Sequence, residues 1–310
     1  MPGRSIHVMD NWQPSTLSWS FSRKTHFDSC RRHYFYDRFW GQDPKLRWKL
    51  YEMRNISTLT MLRGQVVHAV IGGALRSVRL GLDVDLEMAK MSVTEMMRAK
   101  YMESQKRLWH IDNRPRDRKA SEITNLLEHY YPFPDVGERA REARAVAWQC
   151  LTNLMGTDLW REIVSSDPKL WMEIDEEDFP NFELDGIKIY TKIDFAHSCD
   201  APTIIDWKTG AASEQDRSQL ILYSLYAKAK WEWTPEETDL AAVYLYPEFR
   251  ADRFRPTSDE VEAVKEEARR SFGEMVELDP AFGPADIENF PATENKQYCP
   301  WCRFRGMCGI

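Results

Sequence analysis

Two aspartates and a lysine in the second half of the chain have the residue types and spacing of a metal-dependent hydrolytic centre. Asp206 and Lys208 are two positions apart in TIIDWK, a predicted strand, so their side chains should project from the same face. Asp194 ends the preceding predicted strand and could meet them across the sheet. Carboxylates suit Mg²⁺ or Mn²⁺, and a nearby lysine can orient or help to deprotonate a water that attacks phosphorus.

The surroundings of this Asp-x-Lys pair matter, because the pair alone is common by chance and often forms only a surface ion pair. Isoleucine-rich segments precede both aspartates, and Thr209-Gly210 supplies a turn directly after the lysine. Gln219 and Tyr223 follow on a predicted helix, four residues apart and therefore on one face. His68 lies on an earlier predicted helix and could complete a metal shell, although a lone histidine more often packs in a core.

Four cysteines form a second candidate site. Cys30 stands near the start of the sequence, and Cys299, Cys302 and Cys308 form C-x2-C-x5-C near its end. Four thiolates suit either a tetrahedral Zn²⁺ or an iron–sulfur cluster. A redox-active C-x-x-C is the weaker interpretation, because that motif normally opens a helix after an early strand. Cys150 lies in a predicted helix and is expected to be a buried small hydrophobe.

Taken together, these motifs resemble the RecB-like branch of the PD-(D/E)xK nuclease superfamily. The segments that carry the resemblance are CRRHYFYDRFW, the G-x-x-x-H from Gly64 to His68, Asp194, IIDWKTG, and the Q-L-x-L-Y from Gln219 to Tyr223. They span residues 20–308. Arg31 stands where this branch usually has a proline, and the second acidic position is Asp206 rather than glutamate, which the superfamily pattern permits.

The resemblance implies an α/β, restriction-endonuclease-like fold with a mixed central β-sheet flanked by helices, and a metal-dependent nuclease activity. The catalytic residues that it implies are Lys208, Asp206, Asp194, Gln219 and Tyr223. The ligands that it implies for Mg²⁺ or Mn²⁺ are His68, Asp194, Asp206 and, as an assisting ligand, Glu173. Gln219 and Tyr223 would lie beside the metal and position DNA.

The distribution of the cysteines, one near the start and three near the end, resembles the subgroup of this branch that carries a [4Fe–4S] cluster. That subgroup includes AddB-type helicase–nucleases and CRISPR-associated RecB-like exonucleases. The resemblance implies a structural [4Fe–4S] cluster held by Cys30, Cys299, Cys302 and Cys308. Such a cluster would link the first helix to the C-terminal tail. Zinc is the main alternative to iron and sulfide at these four cysteines.

Composition is that of an ordinary globular protein. The chain has 310 residues and a formal net charge of −7, which argues weakly against a surface coated for nucleic acid. Local basic clusters could still contact phosphate. They comprise Arg31, Arg32 and Arg38; Arg114, Arg116, Arg118 and Lys119; and Arg303 and Arg305.

No apolar run is long enough for a membrane span and the first ten residues lack an apolar signal core, so a cytoplasmic location is expected.

The predicted elements form one nuclease domain, residues 1–310, in three parts. Residues 20–165 are mainly helical, 166–250 contain the catalytic sheet and a helix, and 251–310 contain a C-terminal helix and the cysteine tail. Predicted helices cover 20–40, 60–80 (with its start marked by Gly64), 85–110, 118–131, 136–165, 214–231 and 258–277. Predicted strands cover 171–179, 187–197, 203–208 and 241–247, with a hairpin connection at Asn181–Gly186.

Three functions fit these patterns. The first is a DNA exonuclease acting on single strands or free ends, in which Trp40, Trp109 or Trp301 could stack unpaired bases, although core packing is the commoner role for tryptophan. The second is a structure-specific endonuclease in phage defence or phage DNA processing. The third is a non-catalytic DNA-binding subunit, which would be expected to have lost the aspartates or the lysine. Because the sequence has no Walker loop, the protein is expected either to work alone or to join a partner helicase or a CRISPR adaptation complex.

Overall fold

The computed structural model describes residues 15–175, 180–280 and 283–310. The helices of these residues are α1 (Phe21–Ser29), α2 (Arg31–Arg38), α3 (Arg47–Arg54), α4 (Leu59–Arg79), α5 (Leu86–Gln105), α6 (Leu127–Tyr130), α7 (Val136–Met155), α8 (Asp158–Ser165), α9 (Glu214–Trp231) and α10 (Ser258–Leu278). The strands are β1 (Ile56–Ser57), β2 (Asn125–Leu126), β3 (Trp171–Ile174), β4 (Asn181–Leu184), β5 (Ile187–Tyr190), β6 (Phe195–His197), β7 (Thr203–Lys208), β8 (Asp239–Tyr244) and β9 (Arg250–Phe254).

A mixed five-stranded sheet forms the centre of the described chain, in the order β3-β6-β7-β8-β9. Strands β7 and β8 run parallel, with α9 as the crossover between them, and the other neighbouring pairs are antiparallel. Two short two-stranded sheets, β1-β2 and β4-β5, lie outside it. This architecture is consistent with the predicted restriction-endonuclease-like class.

Alternating side chains of the central strands supply two separate hydrophobic clusters. Successive residues of β7 and β8 divide between them, because neighbouring strand residues project from opposite faces. The first cluster contains Ile204, Leu240 and Ala242 and is covered by α1, α2, α3, α9 and α10. The second contains Ile205, Ala241 and Val243 and is covered by α4, α5, α7 and α8. The sheet therefore lies between two helical layers.

Three of the predicted helices are wrong in their extent. The helix predicted at 20–40 is interrupted at Cys30, whose backbone is extended, so that α1 and α2 are separate. The helix predicted at 136–165 is interrupted after Met155, and Thr157 caps the start of α8. The stretch 118–131 holds only a 3-10 turn, β2 and the four-residue α6.

Predicted strands differ from the structure where the chain changes sheet. The stretch 187–197 forms β5 and β6, which belong to different sheets, with residues 191–194 between them. The predicted connection at Asn181–Gly186 contains a strand, β4, and the turn consists of Asp185 and Gly186, which both have positive φ. Of the strand predicted at 171–179, β3 covers the first four residues, and 176–179 lie outside the described residues.

The observed bounds of α4, α9 and α10 agree best with the predicted bounds. The bounds of α9 are those predicted, 214–231, and Ser213 forms a capping box with Asp216. Helix α4 begins at Leu59, where Thr58 accepts a hydrogen bond from the Met61 N–H. Gly64 therefore lies inside the helix rather than at its start. In the described residues, no helix is long and apolar enough to cross a membrane.

Candidate active site

Asp194 and Asp206 lie next to each other where the neighbouring antiparallel strands β6 and β7 meet the same end of the sheet. Asp194 directly precedes β6, rather than ending a longer strand, and Phe195 pairs with Ile205. The Trp207 backbone N–H donates to Asp194 Oδ2 at 2.8 Å. Both aspartates are buried, and burial together with the charge of Asp194 raises the pKa of Asp206 above its usual range.

Lys208 brings its ammonium group to this pair of carboxylates. Its Nζ lies 2.6 Å from Asp206 Oδ2 and 3.2 Å from Asp216 Oδ1, and it donates to Gln219 Oε1 at 2.8 Å. Burial lowers the pKa of Lys208, but the contacts with the two aspartates outweigh it and leave that pKa raised. The lysine is therefore a fixed cation rather than a proton acceptor at neutral pH.

Asp216 was not predicted as part of the site. It opens α9, where its Oδ2 accepts hydrogen bonds from the Ser213 N–H at 2.9 Å and from the Tyr244 hydroxyl at 2.8 Å. Its other oxygen is the one that contacts Lys208. The pattern S-x-x-D is visible in the sequence as a capping box, so the residue could have been found from the helix start.

Gln219 and Tyr223 extend the network along one face of α9. Gln219 Nε2 donates to the Tyr223 hydroxyl at 2.6 Å, while Gln219 Oε1 accepts from Lys208. Burial and the negative charges of Asp206 and Asp194 raise the pKa of Tyr223 well above its usual value. Tyr223 is therefore a neutral phenol that can hold Gln219 in place.

His68 reaches the site from α4. Its Nδ1 lies 2.8 Å from Asp194 Oδ1. Burial lowers the pKa of His68, but the charge and hydrogen bond of Asp194 outweigh it and raise that pKa to about 9. Gly64, one turn earlier, lets α4 approach the turn after β7, because a Cβ there would lie 3.3 Å from Thr209 Oγ1.

Apart from Asp216, all of these groups line a cavity of about 690 Å³ that also contains residues not predicted from the sequence. The additional charged lining residues are Arg76, Asp175 and Lys192. Asp175 and Lys192 form an ion pair at 2.8 Å, and the Asp175 N–H donates to the Asp194 carbonyl at 2.8 Å. Asp175 has a positive φ of 37° immediately after β3, a conformation that a strand pattern does not reveal.

Glu173 lies apart from the aspartate pair. It is 1% exposed, and its Oε2 lies 3.2 Å from Lys230 Nζ and 3.3 Å from the Tyr226 hydroxyl, both on α9. It is not among the described residues that line the cavity. The pairing of β3 with β6 is irregular between Trp171 and Glu173, so simple alternation from the end of β3 does not give its position.

The side chains of Asp194, Asp206 and His68 are the candidate ligands for a metal ion in this cavity. Within residues 15–175, 180–280 and 283–310, no group of three or more His, Cys, Asp or Glu side chains is arranged to hold one as it stands. Lys208 and His68 instead neutralise the aspartates directly. Asp206 Oδ2 is buried, and its partner is the Lys208 ammonium at 2.6 Å, a countercharge that a hard cation could replace.

The predicted cysteine ligands lie where the C-terminal tail packs on α1 and α2. Arg32 Nε donates to the Phe290 carbonyl at 2.7 Å, and Phe304 is buried against the ring of His33. Burial raises the pKa of Cys302, and the charges of the other three thiols, those of Cys30, Cys308 and Cys299, raise it further. Among the described residues these thiols do not form a metal site as they stand, and the Cys302 Sγ lies 3.9 Å from His33 Nδ1 on α2. Cys150 is buried far from them in α7, as predicted.

Three of the nine basic residues predicted to contact phosphate form ion pairs within the protein. Arg31 pairs with Glu274, Arg38 with Asp279, and Arg118 with Glu103. Of the tryptophans predicted to stack bases, Trp109 is only 2% exposed, whereas Trp301 is 46% exposed. Burial excludes base stacking on Trp109 and leaves Trp301 accessible.

Comparison with known proteins agrees with this geometry. No curated protein matches the chain significantly. A family model described as the PD-(D/E)XK nuclease superfamily matches residues 18–309, nearly the whole chain. That superfamily consists of metal-dependent nucleases, hydrolases that act on phosphodiester bonds. The aspartates, the lysine and the mixed sheet therefore have a common explanation: the chain belongs to the PD-(D/E)XK nuclease superfamily.

Proposed function

We propose that this protein is a Mg²⁺- or Mn²⁺-dependent deoxyribonuclease, and that it acts as an exonuclease on single-stranded DNA or on free ends. One observation carries the proposal. The Lys208 ammonium is held by Asp206, Asp216 and Gln219 at the edge of a cavity that also contains Asp194. A non-catalytic subunit would have no need of this arrangement.

The metal-binding residues in this proposal are Asp194, Asp206 and His68. Their contacts support the assignment, since His68 already lies 2.8 Å from Asp194 and the two carboxylates share one end of the sheet. When bound, a divalent cation lowers the pKa of water and neutralises charge that develops on the phosphate. In the structure, Lys208 and His68 balance the charge of the two aspartates. If a cation balanced that charge, the lysine would be free to turn towards substrate.

Lys208 is proposed to orient the attacking water and to balance charge on the phosphate. Its raised pKa supports this role over that of a general base. The water oxygen forms a bond to phosphorus and gives up a proton to solvent, while the bond to the leaving sugar oxygen breaks and that oxygen takes up a proton from solvent. Gln219, which touches both Lys208 and Tyr223, positions the ammonium group during this step.

The shape of the site supports a single strand as substrate. The two aspartates are 6% and 4% exposed and lie within the cavity. A second cavity of about 480 Å³ shares Lys192, Gln219 and Tyr223 with the first, so the space continues past the catalytic groups. A flexible strand can enter such a space more readily than a rigid duplex.

We also infer that Cys30, Cys299, Cys302 and Cys308 hold a [4Fe–4S] cluster. The inference rests on the resemblance of their spacing, on the interruption of the helix at Cys30, and on the docking of the tail against α2. The cluster would fasten α1 and α2 to the tail. Its role in this proposal is structural.

The nuclease proposal is tested with anaerobically purified protein and DNA labelled at either end. Linear single strands, linear duplexes and circular single strands are compared with Mg²⁺, with Mn²⁺ and with EDTA. We expect stepwise degradation of linear single strands, none in EDTA, and loss of at least about 10³-fold in rate for Lys208→Ala. The product ladder gives the direction of degradation.

Lys228→Ala is the matched control, because this exposed lysine lies on α9 away from the cavity lining. It should cleave like the wild type. Cleavage of circular single strands would replace the exonuclease proposal with an endonuclease. Equal rates for wild type and Lys208→Ala would overturn the proposed centre.

A further inference from the structure

Two cavities lie beside the N-terminal half of α7, on the side of α4 away from the catalytic groups. One, of about 400 Å³, is lined by Arg63, Arg139 and Trp301 among others. The other, of about 220 Å³, is lined by Arg98, Arg141 and Arg144 among others. They share Leu59, so they adjoin at the start of α4. Five arginines from three helices thus line these two cavities, which flank α7.

Several arginines elsewhere in the described residues are paired with carboxylates, and these five are not. Among the residues that the structure describes, no ion pair joins any of the five to a carboxylate, whereas Arg118 and Arg161 in the same helical layer are paired. The Nε atoms of Arg63 and Arg144 are buried and have no hydrogen-bond partner among the described residues. Unpaired guanidinium groups at a cavity are suited to phosphate.

The acidic residues on this surface do not cancel its charge. Glu128 and Glu142 line the first cavity, and the second contains no acidic lining residue. Glu128 is buried and already accepts hydrogen bonds from the Leu59 N–H at 3.0 and 3.3 Å. The surface therefore combines five arginines with two glutamates, of which one is engaged in capping α4.

An aromatic platform stands at the edge of the first cavity. Trp301 stacks on Phe133 with ring centroids 5.3 Å apart and an interplanar angle of 28°. Arg139 lies 5.9 Å from the Trp301 centroid, and Arg305 lies 5.0 Å from that of Phe133. Trp301 keeps 46% of its surface exposed. Exposed aromatic rings beside arginines are the usual means of holding unpaired bases.

The same surface is connected to the catalytic cavity through the first turns of α4. Arg63 donates to the Thr209 carbonyl at 3.1 Å, and Thr209 follows Lys208 directly. Gly64, the next residue of α4, lines the catalytic cavity itself. Consecutive residues of α4, Arg63 and Gly64, therefore line the first cavity and the catalytic cavity respectively.

We propose that this arginine and aromatic surface is the binding track for single-stranded DNA on its way to the catalytic cavity. The proposal rests on the proposed nuclease function and specifies where its substrate lies. Arg63, Arg98, Arg139, Arg141 and Arg144 contact phosphates, and Trp301 stacks a base. The combination favours a single strand over an acidic peptide, because a peptide offers carboxylates but no successive flat bases for the platform.

The test measures binding without cleavage. A 5′-fluorescein oligothymidylate is titrated in EDTA, and its anisotropy is followed at several salt concentrations. The variant Arg139→Gln, Arg141→Gln, Arg144→Gln should bind at least about tenfold more weakly. Its plot of log affinity against log salt should be shallower by about 2, since each lost phosphate contact removes about 0.7 from the slope for a single strand.

Two further variants separate local contacts from general charge. Arg255→Gln, Arg269→Gln, Arg270→Gln removes the same charge from arginines that are paired with carboxylates on another part of the surface, and it should bind like the wild type. Trp301→Ala should weaken binding at least about fivefold with an unchanged salt slope, and Trp301→Phe should restore most of that loss. Melting curves confirm that each variant is folded.

The outcomes are distinct from those of the nuclease assay. Equal effects of the two triple variants, or no effect of Trp301→Ala, would overturn the track, even if the wild type degrades DNA. Tighter binding of a hairpin duplex than of oligothymidylate would also overturn it. Failure of the wild type to cleave any DNA would instead count against the proposed function, and the binding measurement would still stand.

Discussion

The backbone N–H of Trp207 donates a 2.8 Å hydrogen bond to the side chain of Asp194. Trp207 lies between Asp206 and Lys208, so the strand that carries the Asp-x-Lys pair also fixes the remaining aspartate. The other oxygen of Asp194 faces His68. One hydrogen bond thus sets the spacing of two buried carboxylates, and their mutual repulsion is the basis of the first prediction.

Asp206→Asn should stabilise the protein in EDTA at neutral pH. Burial and the charge of Asp194 raise the pKa of Asp206 to about 6, so its ionised form is disfavoured in the folded state. A carboxyl group with a raised pKa contributes stability at low pH that is lost as pH rises through the folded-state value. The advantage in Tm of the variant should therefore be largest above about pH 7 and fade towards pH 4.

Mn²⁺ should make the wild type more stable than the Asp206→Asn variant, the reverse of the order expected in EDTA. Binding to the wild type stabilises the folded state by about 2.7 kcal/mol at a metal concentration one hundred times Kd. The variant lacks one of the proposed carboxylate ligands and should gain much less. Scanning calorimetry with and without Mn²⁺ measures both shifts. Equal gains in Tm for wild type and Asp206→Asn would contradict the assignment of Asp206 as a ligand.

Asp216→Asn should slow cleavage about tenfold through kcat, with little change in KM, because Asp216 positions Lys208 at 3.2 Å rather than contacting substrate. Loss of its charge should also move the alkaline limb of the pH–rate profile to lower pH, since Asp216 helps to raise the pKa of Lys208. Steady-state kinetics across pH measure both effects.

Ser213→Ala is the matched control for Asp216. It removes the hydroxyl that caps α9 and should cost about 1 kcal/mol of stability, while the contact between Asp216 and Lys208 remains. Its pH–rate profile should be that of the wild type. If both variants shift the profile alike, Asp216 acts only through helix stability.

Gly72→Ala and Gly73→Ala should differ in their effects on stability and on the rate of cleavage. A Cβ at Gly72 would lie 3.1 Å from the Asp175 Cβ and 3.2 Å from Arg76 Nη1, so it would displace a wall of the catalytic cavity. A Cβ at Gly73 meets nothing within 4 Å. Gly73→Ala should therefore stabilise α4 by about 0.5–1 kcal/mol with unchanged cleavage. Gly72→Ala should lack that gain and cleave more slowly, as melting curves and rate assays will show.

Protein purified without air should be brown, with broad absorption near 400 nm, if the four cysteines bind iron and sulfide. Serine at Cys30, Cys299, Cys302 or Cys308 should remove the colour and lower Tm. Cys199→Ser, at a half-buried cysteine outside this set, should keep both. Colourless wild-type protein with one equivalent of zinc would assign the site to zinc instead.

Local signals explain what could be predicted from the sequence. Helix α9 was predicted with its observed bounds because its capping box and apolar face are contained in the helix itself. Strand β7 was predicted for the same reason, since TIIDWK combines β-branched residues with a turn directly after it. Lys208, Gln219 and Tyr223 lie on these two elements, and the structure brings them together.

Tertiary contacts explain what could not be predicted. The break at Cys30 lies in a sequence with helical periodicity, and it coincides with the docking of a tail more than 250 residues away. Asp175 enters the catalytic cavity through a left-handed backbone conformation that follows a short strand. Glu173 turns instead to Lys230 on α9. None of these three positions follows from periodicity, because each depends on a partner distant in the chain.

The docking of the tail has a consequence for the order of folding. Arg32 bonds to Phe290 across 258 residues, whereas Lys208 and Gln219 are 11 residues apart, and Asp194 and Trp207 are 13 apart. Contacts between distant residues require closure of a long loop and form more slowly than local ones. We therefore expect the carboxylate and lysine centre to assemble before the tail docks, and the burial of Phe304 to be a late step of folding.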